Sequence, residues 1–575
     1  MEMDCKERIL SNEYADGVVD FPVERIMREG DDACYIKLDD RFYTVYQNRA
    51  LTMDLPGSPL QYQYTPKVYG LMQTQEVGRG ERTIFNPGAL TDSGIRQLQG
   101  APLNLRGNGT VIGIIDTGIE YANAAFLDAN GKSRILAIWD QTIQDGTPPE
   151  GMYFGTEYTG EDINRAIASG ESRNIVKTDD PLRHGTIMAG VAAGSVVDGG
   201  STYIGAAPDA DIVVVKLKEC KPYLREYYFV PENVPAYEES DIMLGVSYVN
   251  RFAEEFKRPV IICLGIGTNM GDHAGNSVLG RYLNKVAGLR SRVMVVCGGN
   301  EGSAGHHYTW TFPQEDAAEY RDVEVRVGEE AGFMLEFWGN VADVFNISVR
   351  TPGGEVVPPI RLGVEQGNTY EFVFERTILT VQSVLVEPGT GEQFIRFRLV
   401  EPTPGIWTFR VTTVGEVHNG TFHMWLPIAQ FLRSDTYFLE AATDTTITEP
   451  GMVSGVITVT NYNHVNDSLY LESGRGFSRT GNIRPDFAAP GVNVPTLYGD
   501  RTGSSLAAAI TAGGTAQFMQ WAVVEGNSPL AETEEVKNYF IKGARRMPGL
   551  DYPNKGWGYG ALDVLGTFER IRGEI

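Results

Sequence analysis

The chain has 575 residues, too many for one hydrophobic core, so several domains are expected. Its formal net charge of −25 argues against nucleic acid and anionic membrane surfaces as partners. Apolar content of 42% and aromatic content of 10% are those of an ordinary globular protein, and no apolar run reaches the ~18 residues of a membrane-spanning helix.

The opening residues, MEMDCKERIL, lack a positive start leading into an apolar stretch, so no secretory signal is expected. VVDFPVERIM (18–27) reads as a strand running into a turn or helix start. CYIKL and FYTVYQ alternate in polarity and read as strands paired across the Asp39-Asp40 turn. Residues 1–75 thus form a small α/β piece, short for an independent core and expected to lean on a partner domain. From about 61 to 98 periodicity fades through QYQYTPKVYGLMQTQ, GRGERT and NPG. This stretch reads as a linker that becomes extended and ends near Ser93-Gly94-Ile95.

From Thr110 the texture changes. TVIGIID, DIVVVKL, PVIICLGIG and RVMVVCGGN are continuous apolar runs bounded by turn residues, the pattern of parallel strands buried on both faces. Helical patterns lie between them: HGTIMAGVAAGSV, SDIMLGVSYVNRFAEEF and SVLGRYLNKVAGL. The alternation predicts a doubly wound α/β core over residues 76–310.

Residues 311–460 are different. DVEVRV, FMLEFWG, FNISVRTP, TYEFVF, FIRFRLVEP and GIWTFRVTTV alternate in polarity between frequent turns, which predicts an all-β sandwich or jelly roll. The 205 residues separating Asn300 from Ser505 far exceed the ~30 of one βα unit, so this β unit is read as an insertion into the core. The α/β texture returns over 461–575, with RPDFAAPGVNV, the small-residue helix TGSSLAAAITAGGTAQFMQW and a further helix at 532–546.

The five cysteines are odd in number and show no metal-binding spacing. Cys263 and Cys297 lie in apolar runs, so buried reduced thiols are expected and structural disulfides are not. No EF-hand-type loop appears; no metal site or required cofactor is predicted, and structural calcium is left open.

Four residues carry candidate chemistry. Asp116 ends the first buried strand, where α/β folds place their active sites, although Asp-Thr-Gly is also an ordinary turn. His184 begins a small-residue helix, where a histidine can equally be a hydrogen-bonded structural residue. Ser505 follows Gly503 and opens another small-residue helix; serine is also a common cap, and Ser504 competes with it. Asn300, after the strand in RVMVVCGGN, is either a turn residue or an amide donor to a developing oxyanion. Together they supply an acid, a base, a nucleophile and an oxyanion donor in the order Asp, His, Ser.

On these motifs the chain resembles the subtilisin-family (subtilase) serine proteases. IIDTGI matches the aspartate motif, HGTIMAG the histidine motif, GGNEG the asparagine motif and GSSLAAA the serine motif, and the last assigns the nucleophile to Ser505. The match departs from the family pattern at Ser504 for threonine, Ala509 for proline and Ile187 for a second histidine. The resemblance implies a subtilisin-like doubly wound parallel sheet with an N-terminal α/β prodomain and an inserted jelly-roll domain. It implies peptide hydrolysis through an acyl-enzyme. A substrate strand would lie beside Leu264, Gly265 and Ile266, with Gly298 and Gly299 at the pocket for the residue before the cut.

The domain order is similar to that of the Csp germination proteases of clostridial spore formers. This implies a protein or peptide substrate, namely the zymogen of a spore-cortex hydrolase, and a spore location, with a cytoplasmic or non-classically exported alternative. It also implies a prodomain that can be cleaved and stay bound non-covalently; the aperiodic, Gly- and Gln-containing stretch between the small domain and the core puts self-cleavage between about Gln61 and Arg82. Two alternatives stand beside this reading: a catalytically quiet binding protein on the same fold, and a peptidase outside germination.

Overall fold

The computed structural model describes residues 3–25, 32–52, 62, 64–72, 75–76, 88–195, 203–314, 320–360 and 365–573. The GRGERT stretch of the expected linker lies outside them. The four continuous apolar runs form the heart of a nine-stranded sheet. Arg292–Cys297, Val260–Leu264, Val111–Asp116 and Asp211–Lys216 lie side by side and parallel. Three of these strands are buried at every position and Asp211–Lys216 at all but its two ends, which is why they read as unbroken apolar runs rather than alternating ones.

Helices cover both faces. On one face lie His184–Ala193 and Ser504–Met519, each buried along its whole length and therefore apolar all round rather than amphipathic. On the other lie Glu239–Phe256 and Val278–Ala287, which each turn one polar face to solvent.

The N-terminal residues pack outside this second helical layer. Tyr14–Val19, Tyr43–Asn48 and Ala33–Lys37 form a three-stranded antiparallel sheet with Tyr43–Asn48 in the middle. Its hairpin turns where expected: the Asp39 carboxylate accepts from the backbone N–H groups of Arg41 and Phe42, an Asx-type turn. Ile9, Val18, Ile36, Phe42 and Tyr46 continue the core of the helical layer, which supplies the burial so short a unit lacks alone. A buried ion pair between Asp16 and Lys221 crosses the same interface.

The cysteines differ from expectation. Cys5 and Cys34 form a disulfide, while Cys220, Cys263 and Cys297 are free and buried. The pair is made when the helix Cys5–Leu10 packs on the strand Ala33–Lys37, a tertiary event that leaves no spacing motif.

The Val- and Phe-rich region forms two antiparallel sheets, of six and five strands. Phe337, Phe345, Phe397, Trp407 and Phe409 are among the side chains filling the space between them. The unit runs from His307–Thr311 to Tyr437–Phe438, so it begins before residue 311. Ile457–Asn463, whose first four residues were read as part of it, is instead a strand of the core sheet, parallel to Arg292–Cys297. Its sequence, ITVTNYN, has the same β-branched texture as the sandwich, so composition could not separate the two.

The supposed linker also differs from expectation. Val68–Leu71 is a strand inserted between Ala236–Glu238 and Ile266–Gly267, antiparallel to both. Gln75–Glu76 pairs with Gly499–Thr502. Single-chain periodicity is silent on such a strand because its partners lie far away in sequence.

Candidate active site

Asp116, His184 and Ser505 come together from a strand end and two helix starts. His184 Nδ1 donates to Asp116 Oδ1 at 2.7 Å, and His184 Nε2 lies 3.1 Å from Ser505 Oγ. The first bond puts the proton of the neutral imidazole on Nδ1, so Nε2 faces the serine as an acceptor. All three side chains are buried. Burial works against charging the His184 imidazole. The charge and hydrogen bond of Asp116, with a contribution from Asp180, outweigh it and raise the pKa above the ordinary histidine value.

The helix carrying His184 can approach the Asp116 strand only because residue 185 is glycine: a Cβ there would sit 2.3 Å from the Gly118 carbonyl oxygen. Asp180, which the motifs did not single out, joins the two elements. Its carboxylate accepts from Thr117 Oγ1 at 2.7 Å, from the N–H of Arg183 at 2.9 Å, and from Thr186 N and Oγ1 at 2.8 and 2.7 Å. Thr117 Oγ1 in turn accepts from Gly185 N–H. The legible signal was an acidic pair, Asp179-Asp180, just before a helix start, where carboxylates satisfy unpaired N–H groups. Burial raises the Asp180 carboxyl pKa, and the Thr186 and Thr117 hydrogen bonds oppose that rise.

Asn300 stands beside the serine helix. Its Oδ1 accepts from Ser504 N–H at 3.1 Å, which turns the amide oxygen toward the helix and leaves donation to the NH₂ group. Ser504 itself is buried and contributes this backbone contact, while Ser505 faces His184.

The strand Val68–Leu71 leads directly to this cluster. Gly70 and Leu71 pair with Gly267 and Ile266, and Met72 N–H donates to the Gly265 carbonyl at 3.0 Å. The Ser505 hydroxyl lies 3.1 Å from the Met72 carbonyl oxygen. Gly265 and Ile266 therefore lie against an extended segment of the chain itself. Leu264 does not: it ends the core strand, paired with Ile115 and Val296, and its side chain is buried in the sheet. The break at Gly265 separates the two roles. A Cβ on Gly265 would lie 2.3 Å from Met188 Sδ and 3.0 Å from His184 Cε1.

A Cβ on Gly298 would meet the Val459 carbonyl oxygen at 3.0 Å and Thr460 Cγ2 at 3.2 Å on the neighbouring core strand, whereas Gly299 backs onto a loop that spacing could not place. Thr448 Oγ1 would be 2.5 Å from a Cβ on Gly299 and 2.3 Å from one on Gly267. A Gly267 Cβ would also meet Met72 Cε at 3.3 Å. The Met72 side chain thus reaches the wall on which Gly267 and Thr448 meet. Among the described residues, no group of three or more His, Cys, Asp or Glu is placed to hold a metal ion. None of the helices searched is long and apolar enough to cross a membrane.

Comparison with known proteins agrees with this geometry. The model of the subtilase family matches residues 107–322 and 428–560. The structure of the Clostridium perfringens CspB protease is 29% identical, with a TM-score of 0.74, covering 84% of this chain and 98% of that one. The crystal structure of MycP1 from the ESX-1 type VII secretion system is 14% identical, with a TM-score of 0.40, covering 87% of this chain and 90% of that one. No curated protein sequence matches the chain.

Proposed function

The chain belongs to the subtilase family of serine endopeptidases, and from that premise we propose that its first substrate is its own bond between Met72 and Gln73. The observation that carries this reading is the Met72 carbonyl lying 3.1 Å from the Ser505 hydroxyl, on a strand already paired on both sides. A cut after Met72 would fall inside the expected interval 61–82.

The chemistry follows from the three side chains. His184 Nε2 takes the proton of Ser505 as Oγ bonds to the Met72 carbonyl carbon. The carbonyl oxygen becomes negative, and the Asn300 NH₂ is the donor assigned to it. The intermediate collapses, the carbon–nitrogen bond breaks, and the imidazolium returns its proton to the amine of Gln73. Water then attacks the Met72 ester, again giving its proton to His184, and Ser505 is restored. Asp116 holds the imidazole in register and stabilises its charged form.

In this reading residues 1–72 are a prodomain whose folded part stays docked after cleavage, held by the Asp16–Lys221 pair and the shared apolar core, while the strand Val68–Leu71 gives up the cleft to a later substrate. The sandwich unit is a jelly-roll clamp on the catalytic core. The likeness to the CspB protease supports a germination role, with a spore-cortex hydrolase zymogen as the later substrate and the spore as the location. Intact mass measured on wild type and on Ser505→Ala tests the self-cleavage. Wild type is expected as two pieces parting after Met72 and the variant as one; identical processing in both would remove the proposal.

A further inference from the structure

Tyr62, ten positions before Met72, leaves the N-terminal unit and enters a socket on the sandwich. The socket is built from two neighbouring antiparallel strands, Gly332–Gly339 and Gln393–Val400. In their register Trp338 faces Phe394 and Glu336 faces Arg396. Because side chains alternate along a strand, these four project from one face of the sheet. Their neighbours Leu335, Phe337, Ile395 and Phe397 fill the sandwich interior on the other face. The outer face therefore carries two large aromatic rings and a buried ion pair that the sandwich core does not cover.

Tyr62 covers them. Its ring stacks on Phe394 with centroids 3.9 Å apart, and Trp338 meets it edge-on at 5.9 Å. The Arg396 guanidinium lies 4.5 Å from the ring centroid. The Tyr62 hydroxyl donates to Glu336 Oε2 at 3.3 Å, and Arg396 pairs with Glu336 at 3.4 Å. An apolar ring, a cation over it and a carboxylate at the hydroxyl together match a tyrosine side chain. Tyr64, two positions on, turns the other way and meets Phe21 of the N-terminal unit edge-on at 5.5 Å. Only Tyr62 of the pair engages the sandwich.

We infer that this socket is a second binding site for polypeptide, selecting a tyrosine or other aromatic residue about ten positions before the residue at Ser505. The inference rests on the reading of Met72 as the residue before the cut. The arm that fills the socket is continuous with the strand that fills the cleft, so a segment leaving one vacates the other. A later polypeptide entering the cleft in the same direction runs its upstream residues past Trp338, Phe394 and Arg396. The sandwich thereby becomes a reader of substrate sequence, at a distance from the bond that is cut.

The test uses the full chain carrying Tyr62→Ala, which empties the socket. Fluorescently labelled peptides with the sequence of residues 56–72 are titrated against it, with tyrosine, phenylalanine or alanine at position 62. The tyrosine peptide is expected to bind about tenfold more tightly than the alanine peptide, with phenylalanine close to tyrosine. Adding Phe394→Ala to the protein erases the difference. Arg396→Met, with a thermal melt as the folding check, is the second variant and narrows it. Equal affinities for the tyrosine and alanine peptides overturn the inference. Intact mass of the same sample reports self-cleavage separately. In an uncut sample the cleft is filled covalently and the peptide reaches only the socket, so the ratio of affinities still reads it.

Discussion

The Ser505 hydroxyl has two acceptors at 3.1 Å, His184 Nε2 and the Met72 carbonyl oxygen. Rotation of one O–H bond toward His184 turns an oxygen lone pair onto the Met72 carbonyl. In the proposed roles, nucleophile, base and a peptide carbonyl thus stand at contact distance in one molecule. Such an arrangement removes the translational cost of bringing a substrate to the serine.

Replacing Asp116 by Asn should leave the fold intact and lower kcat about 10⁴-fold, because the wrong imidazole tautomer then faces the serine. The pH profile supplies a second readout. His184 must be neutral to act, and Asp116 raises its pKa, so activity is lost as pH falls through a midpoint above the ordinary histidine value. The stability contribution runs the other way: it is full below the unfolded-state pKa and is lost as pH rises through the folded one. In Asp116→Asn the acid limb of kcat/KM should move to lower pH; an unmoved limb would count against His184 as the titrating base.

Asp180 is a positioning residue that acts through Thr117, Thr186 and the start of the His184 helix. Asp180→Ala should cost about 1–3 kcal/mol of stability, since several buried donors lose their acceptor. Asp180→Asn keeps an acceptor oxygen and removes the charge that helps raise the His184 pKa. Its acid limb should therefore move down in pH with KM unchanged, measured by initial rates across pH. A purely structural residue would leave the limb in place.

Thr448 should set the size of the side chain accepted before the cut, because it meets Gly267 where the Met72 side chain ends. Thr448→Ala opens space there and should shift preference from methionine toward larger side chains such as phenylalanine. A gain of about tenfold in the Phe/Met ratio of kcat/KM is expected, the scale of one or two methylene groups in an apolar pocket. Profiling with a peptide library checks it. Gly265→Ala should instead abolish activity, since its Cβ would press on Met188 and His184.

The Cys5–Cys34 disulfide closes a loop with a sequence separation of 29. Chain entropy assigns such a link about 3.6 kcal/mol. Cys34→Ser should therefore lower the melting temperature of the N-terminal unit while leaving hydrolysis of short peptides unchanged. Scanning calorimetry with and without a reductant checks this, and no shift on reduction would show that the bond carries no stability.

The four buried strands, the helices carrying His184 and Ser505, and the β-rich insertion were readable because each pattern is local: continuous apolar runs, small-residue helices and alternation. Val68–Leu71 was not, because a two-sided strand in a cleft depends on Ala236–Glu238 and Ile266–Gly267 for its partners. Thr448 and Asp180 escaped for a related reason. Each is an ordinary polar residue in a loop, and what distinguishes it is the glycine or threonine brought against it by folding. Leu264 was placed beside the cleft together with Gly265 and Ile266, as one stretch implied by the family resemblance; the break at Gly265 that separates it from them is a backbone event that hydropathy does not report.

The insertion also bears on how the chain reaches its native state. Val295 and Ile457 are paired neighbours in the core sheet although the whole sandwich lies between them in sequence. Closing so long a loop directly is slow, as it is for any non-local parallel pairing. Yet the two ends of the sandwich meet: Phe438 N–H donates to the Gly305 carbonyl at 3.0 Å. Once the sandwich has folded, the core experiences a short connection in place of a long one. The order of events this favours is insertion first and catalytic sheet second, so that the protease becomes competent only after the part that performs no chemistry is complete.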